Sequence, residues 1–251
     1  EFAESLRKAG ERTQKLIVIL NFPHNPTGYA ITATEAEQVT QAIAQVAGRG
    51  CHLLVVVDDA YFGLWYDDGV LRESLFGWLL GLHPNVLAIK IDGATKEEYA
   101  WGLRVGFLTF GLGEATMKPL EGKITGLIRV DTSGASQLSQ TMVLQAMDAP
   151  QYALEKQQKY GILKSRALKV KEVVYDPSCA DLWEVYPFHA GYFMCIHLKV
   201  GSAEALRQHL LNEYGIGVIA TGERDLRIAY SCVEESDIEA LFDAIAQAIR
   251  S

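Results

Sequence analysis

The sequence predicts an α/β protein with a three-layer, mostly parallel sheet, followed by a smaller α+β domain. Two observations carry this reading. LIVILNF (16–22), HLLVVVDD (52–59) and VLAIKID (86–92) are apolar runs with little polar alternation, as expected of strands covered on both faces. Stretches with helical apolar spacing separate or follow strand-like runs, and that alternation is the pattern of a parallel sheet.

In chain order, residues 1–9 have the spacing of an amphipathic helix, with Phe2 and Leu6 inward and Gly10 as its stop. The chain enters this helix at Glu1 without an initiating Met, which is read as the loss of an upstream portion. The first strand runs into the turn PHNPTG. Thr32 and Glu35 then have capping-box spacing ahead of Ala36, Val39, Ile43 and Val46, a helix closed by Gly48 and Gly50. RVGFLTFG (104–111) is a fourth strand, so soon after the third that an antiparallel pairing is expected. From about residue 135 the texture changes. Helical spacing links Tyr160, Leu163, Ala167, Val170 and Val174, followed by a strand-like GYFMCIHLKV (191–200), a helix through Leu206, Leu210 and Tyr214, and LRIAYS (226–231). A last helix is expected to start at Ser236, with Glu239 in capping-box register, and to bury Ile238, Leu241, Phe242, Ile245 and Ile249. The predicted domains are 1–150 and 151–251.

Composition narrows the function. Lys and Arg total 23 against 31 Asp and Glu, a net charge of −8, so no basic field is available for nucleic acid or an anionic membrane face. The longest apolar runs fall far short of the roughly 20 residues of a membrane span. Cys51, Cys179, Cys195 and Cys232 lack CxxC spacing and read as reduced thiols of a cytoplasmic protein. No metal-ligand spacing occurs among the histidines, and of these only His24 lies beside a candidate motif. Neither G-x-G-x-x-G nor a Walker-type loop is present, which argues against nucleotide cofactors.

Ligands of open α/β sheets bind outside the carboxyl ends of the strands. Three strands end at Asn25, at Asp58 to Tyr61, and at Lys96, so these side chains are expected to share one crevice. Desolvation there, with Arg104 nearby, would disfavour the ammonium form of Lys96 and leave a nucleophilic amine. Taken singly, each motif has a plainer reading. NPTG is a good turn, Asp58 and Asp59 could cap a helix, and Lys96 with Glu97 and Glu98 resembles a solvated charge cluster. Arg104 and Arg227 could be surface residues, and Tyr99 and Trp101 are expected to be packing residues.

Taken together, NPTG (25–28), DDAY (58–61), GATK (93–96), GLRVGF (102–107) and LRIAYS (226–231) resemble, in order and spacing, the fold type I pyridoxal-phosphate-dependent aminotransferases of the aspartate aminotransferase superfamily. The resemblance implies the large cofactor-binding domain of that fold, incomplete here, with its C-terminal small domain. It implies pyridoxal 5'-phosphate, amino acid and 2-oxo acid substrates, and a homodimer. Lys96 would carry the cofactor as a Schiff base and then act as the base. Asp58 would pair with the pyridine nitrogen, Tyr61 and Asn25 would bond the ring oxygen, and Arg104 and Thr95 would face the phosphate. Arg227, with Asn25, would hold the substrate carboxylate.

Two departures accompany the match. Many relatives carry serine three residues before the lysine, where this chain has Gly93. Relatives also carry, upstream of NPTG, a small-residue loop for the phosphate and an aromatic that stacks on the pyridine, for which the 24 residues before Asn25 leave no room. The resemblance therefore implies weak cofactor binding by this chain alone. It leaves open a C–S lyase, decarboxylase or synthase on the same fold, and a non-catalytic sensor domain of a transcription regulator.

Overall fold

Lys15–Asn21 (β1) and His52–Asp58 (β2) run parallel and in register, Lys15 beside His52 and Asn21 beside Asp58. Val86–Gly93 (β3) continues the sheet in parallel, and Gly106–Phe110 (β4) closes it antiparallel, as the short spacing predicts. The order is β1-β2-β3-β4 in this computed structural model, which describes all residues from 1 to 251. The chain forms two compact units. The first contains residues 1–22, 31–63 and 69–152; the second contains 23–30, 64–68 and 153–251.

In the first unit, the alternation of β2 sends Leu53, Val55 and Val57 to one face, where they are buried together with Ala88 of β3. The helices Phe2–Arg12 (α1), Ala33–Gly48 (α2) and Leu75–Leu79 (α3) pack in this region. The capping box forms as expected: Thr32 Oγ1 accepts from Glu35 N at 3.2 Å, and Glu35 Oε2 accepts from Thr32 N at 2.8 Å. Gly10 does not stop α1, which continues to Arg12. A Cβ on Gly10 would lie 2.6 Å from Val46 Cγ1, so this glycine allows α1 to approach α2 closely.

The opposite face departs from the expectation of double cover. Ile17 and Ile19 of β1 are 69% and 68% exposed. Residues 114–147, for which apolar spacing predicts no element, form two helices, Glu114–Thr132 (α4) and Gln137–Met147 (α5). No residue of α4 is buried. Val143 of α5 packs with Ala94 and Val105, the two ends of the loop that carries Lys96.

The second unit is built on an antiparallel sheet in the order β5-β6-β8-β7: Trp183–Val185 (β5), Met194–Leu198 (β6), Asp225–Ile228 (β8) and Ile219–Ala220 (β7). Its buried side includes Met194, Ile196, Leu198, Leu226 and Ile228. Tyr152–Val174 (α6), Ala203–Tyr214 (α7) and Ile238–Arg250 (α8) supply most of the other buried apolar side chains of this unit. Trp183 joins strand to helix, its indole N–H donating to Val174 O at 3.1 Å and its ring meeting Phe242 at 6.3 Å. The expected capping box of α8 does not form. Residues 235–237 make a 3₁₀ turn instead, and the Ser236 hydroxyl donates to the Asp237 side chain. Leu241 and Ile249 are half-buried, while Ile238, Phe242 and Ile245 are fully inside.

Candidate active site

Each unit gathers its own group of polar side chains. In the first, β2 ends at Asp58 and turns without entering a helix, so the acidic pair does not cap one. Asp58 Oδ1 accepts from Ala60 N at 3.1 Å, a local turn bond, and its other carboxylate oxygen has no partner in the chain. Asn21 Nδ2 donates to the Asp58 carbonyl at 3.2 Å, which pins the strand end. Tyr61 is buried in the turn that follows.

The resemblance assigns a role to Asp58 and none to Asp59, and the structure sets the two apart. Asp59 is 2% exposed, and its Oδ2 has no hydrogen-bond partner. Burial raises its pKa, opposed by the Ser74 hydroxyl and Lys90. Their different fates follow from strand alternation, which sends adjacent side chains to opposite faces.

Lys96 sits in the loop between β3 and β4. The loop is tied at its ends, with Ala94 N donating to Val105 O at 3.2 Å and Ala100 N donating to Ala94 O at 3.0 Å. The Lys96 amine lies 5.8 Å from the centre of the Tyr61 ring, so the structure brings these two predicted residues together. Tyr99 and Arg104 both adopt left-handed backbone, at φ 55 and 56, a conformation that costs a non-glycine residue about 1 kcal/mol or more. The strain is concentrated in the loop that bears Lys96. The Arg104 guanidinium bonds only the Trp101 carbonyl, at 3.3 Å, and has no acid partner. Trp101, expected to pack, is 70% exposed.

Gly93 has a physical reason here. A Cβ at this position would meet Val105 O at 2.6 Å and Gly106 Cα at 2.9 Å across the β3–β4 pair. Serine does not fit without moving backbone, and Thr95 carries a hydroxyl two residues further on.

In the second unit, the NPTG turn docks on residues 188–193. The Gly28 carbonyl accepts from His189 N at 2.8 Å and from Ala190 N at 3.0 Å, and Ala30 N donates to His189 Nδ1 at 3.2 Å. His189 is thus a second histidine at this turn. His24 is the first, its Nδ1 2.7 Å from Thr27 Oγ1, and burial lowers its pKa. The docking places Asn25 beside β8, where Arg227 Nη1 donates to Asn25 Oδ1 at 3.0 Å. The Arg227 guanidinium lies 4.3 Å from the centre of the Phe193 ring. Sequence reasoning passed over Phe193, because an aromatic before a buried strand carries no pattern that distinguishes stacking from packing.

The first unit thus carries a strained lysine loop on a mostly parallel sheet, and the second presents an arginine free of acids on an antiparallel sheet. The family model for aminotransferases of class I and II matches residues 1–245, and the chain belongs to that family. The family works with pyridoxal phosphate on amino acids and 2-oxo acids. An aspartate aminotransferase of Bacillus sp. (strain YM-2) is 29% identical over 157 residues, covering 62% of this chain and 36% of the relative. An aspartate/prephenate aminotransferase of Cereibacter sphaeroides is 28% identical over 231 residues, covering 86% of this chain and 54% of the relative. Among solved structures, an aminotransferase from Anaerococcus prevotii superimposes with a TM-score of 0.84 at 19% identity, covering all of this chain and 60% of that one. The chain thus spans about half or less of the length of these two sequence relatives. No helix is long and apolar enough to cross a membrane.

Proposed function

We propose that this chain moves an amino group between an amino acid and a 2-oxo acid with pyridoxal phosphate, the first unit holding the cofactor and the second binding the substrate carboxylate. The observation that carries the proposal is the Lys96 amine 5.8 Å from the Tyr61 ring, in a loop whose Arg104 makes no ion pair. On this reading the first unit, drawn mostly from 1–150, is part of the large domain, and the second, mostly from 151–251, is the small domain.

The donor set fits the group. A pyridine nitrogen that must stay protonated needs an acid, and Asp58 has a carboxylate oxygen without a partner. A phosphate needs a cation and hydroxyl donors, and Arg104 has no competing carboxylate while Thr95 offers a hydroxyl. When bound, pyridoxal phosphate supplies an aldehyde carbon and a conjugated ring that accepts electrons. The chain supplies the rest. Lys96 would be the amine that holds the cofactor aldehyde and the base that takes the proton from the substrate Cα. Asp58 would hold a proton on the ring nitrogen, and the Tyr61 hydroxyl would donate to the ring oxygen. Arg227, with Asn25, would hold the substrate carboxylate in its planar fork.

A homodimer in the cytoplasm is part of the proposal. The exposed apolar side chains Leu127, Val130, Leu138 and Leu144 of α4 and α5 support it, because a partner would cover them. Sedimentation velocity and cell fractionation test these points. For the chemistry, the purified chain is mixed with pyridoxal phosphate and reduced with borohydride, and the modified residue is located by mass spectrometry. Attachment at Lys96, abolished in Lys96→Ala, is expected; equal attachment in that variant would refute the assignment. Conversion of the aldehyde to pyridoxamine phosphate by an amino donor separates transamination from lyase, decarboxylase and sensor behaviour.

A further inference from the structure

We propose that Phe193 is a positioning residue for substrate recognition: its ring holds the Arg227 guanidinium in the orientation that leaves its N–H edge open to a carboxylate. The inference rests on the carboxylate-binding reading of Arg227 and deepens it. An arginine can be held in two ways. An acid partner fixes it but occupies its N–H edge and neutralises its charge. An aromatic face holds it by the flat π surface and consumes no N–H.

The second unit shows both. Arg166 pairs with Glu234 at 2.6 Å, and Arg207 pairs with Glu204 at 2.6 Å. Arg227 has no such partner. It stacks on Phe193 at 4.3 Å and gives one N–H to the neutral Asn25 amide oxygen at 3.0 Å. The acid nearest in sequence, Asp225, is engaged elsewhere: its Oδ1 lies 2.7 Å from His197 Nδ1 and accepts from the Tyr186 hydroxyl at 2.9 Å. Arg227 is therefore fixed without being neutralised.

Phe193 is itself held in place. It precedes Met194, whose partner across β6 and β8 is Ile228, and its ring meets that of Tyr192 at 6.4 Å and 80°. Its carbonyl lies so close to Gly28 that a Cβ there would approach it to 2.4 Å. The NPTG turn thus supplies Asn25 on one side of the guanidinium while resting on the residue that covers its face. The ring selects a planar cation and leaves four of its five N–H groups for the anion or solvent.

The test uses the full chain labelled with ¹⁵N. The Arg227 Nε–Hε signal is assigned by its loss in Arg227→Lys, and 2-oxoglutarate is the titrant. In the parent we expect a saturable shift of this signal and slow rotation of its Nη groups. Phe193→Leu keeps an apolar side chain but removes the ring face. It is expected to weaken 2-oxoglutarate binding about three- to tenfold, as loss of a cation–π contact implies, and to speed Nη rotation. Phe193→Tyr and Phe193→Trp retain the face and are expected to bind as the parent does. No saturable shift in the parent overturns the carboxylate reading and this inference with it. Parent binding that Phe193→Leu leaves unchanged overturns the positioning role alone. If Phe193→Leu does not fold, the ring-bearing variants decide: a tenfold loss in both Phe193→Tyr and Phe193→Trp refutes the role, and parent-like binding with slow Nη rotation supports it.

Discussion

Gly28→Ala tests whether NPTG is only a turn or a turn whose shape is fixed by what it rests on. Gly28 has φ +77, left-handed backbone that costs alanine about 1 kcal/mol. Its added Cβ would lie 2.4 Å from Phe193 O and 2.9 Å from Ala190 O. Both obstacles are backbone atoms, so no side chain can swing aside and the turn must lift away. Lifting breaks the bonds from His189 N and Ala190 N to Gly28 O, each contributing about 1 kcal/mol. The sum is about 3 kcal/mol, or about 6–12 °C in Tm for a chain of this size. Gly69→Ala is the control, because Gly69 has φ +85 with nothing near its would-be Cβ, and only the backbone cost of about 1 kcal/mol applies. Urea and thermal unfolding of the two variants beside the parent measure the difference. Equal losses for Gly28→Ala and Gly69→Ala would show that the docking of the turn contributes nothing.

Three further outcomes follow from the first unit. Thr32→Ala removes the two bonds of the Thr32 hydroxyl, from Glu35 N and to Glu35 Oε2, and should cost about 1 kcal/mol by urea unfolding; no loss would mean that the helix start is held without the Thr32 side chain. Leu53→Ala, on the covered face of β2, should cost about 2–5 kcal/mol. By contrast, Ile19→Thr on the open face of β1 should change stability by no more than about 0.5 kcal/mol, and similar costs for the two would contradict the one-sided cover. Asp59 titrates with a raised pKa in the folded chain, so the folded state holds its proton more tightly than the unfolded state does. Its contribution favours folding below the ordinary Asp value of about 3.9 and is lost as pH rises through the folded value. The stability of Asp59→Asn relative to the parent should therefore improve as pH rises from about 4, and a difference constant with pH would refute the burial effect.

Strand and helix identities were largely legible from residue type and period. Continuous apolar runs gave β1 to β3, close spacing gave the antiparallel β4, and the Thr32–Glu35 pair gave the start of α2. Local signals failed where the decisive neighbour is distant in sequence. Gly10 looks like a helix stop but is a contact point for Val46, and Ser236 has capping-box spacing but lies in a 3₁₀ turn. Trp101 has the composition of a packing residue and is exposed. The candidate residues were legible as types, since an amine, an acid, a phenol and two arginines recur at strand ends. Phe193 was not, because stacking depends on orientation.

By itself, the sequence determined the period of each element, the residues available for chemistry and membership of the class I and II aminotransferase family. Tertiary structure decided which of those residues meet. It grouped Asn25 with Arg227, which lies far along the chain, and Lys96 with Tyr61 across two strand ends. It also separated Asp59, buried with an unpartnered oxygen, from Asp58 beside it. The physical reason is range. Backbone preference and hydrophobic period act over a few residues, whereas the field and the free space around a charged group are set by neighbours that only the packed fold brings near.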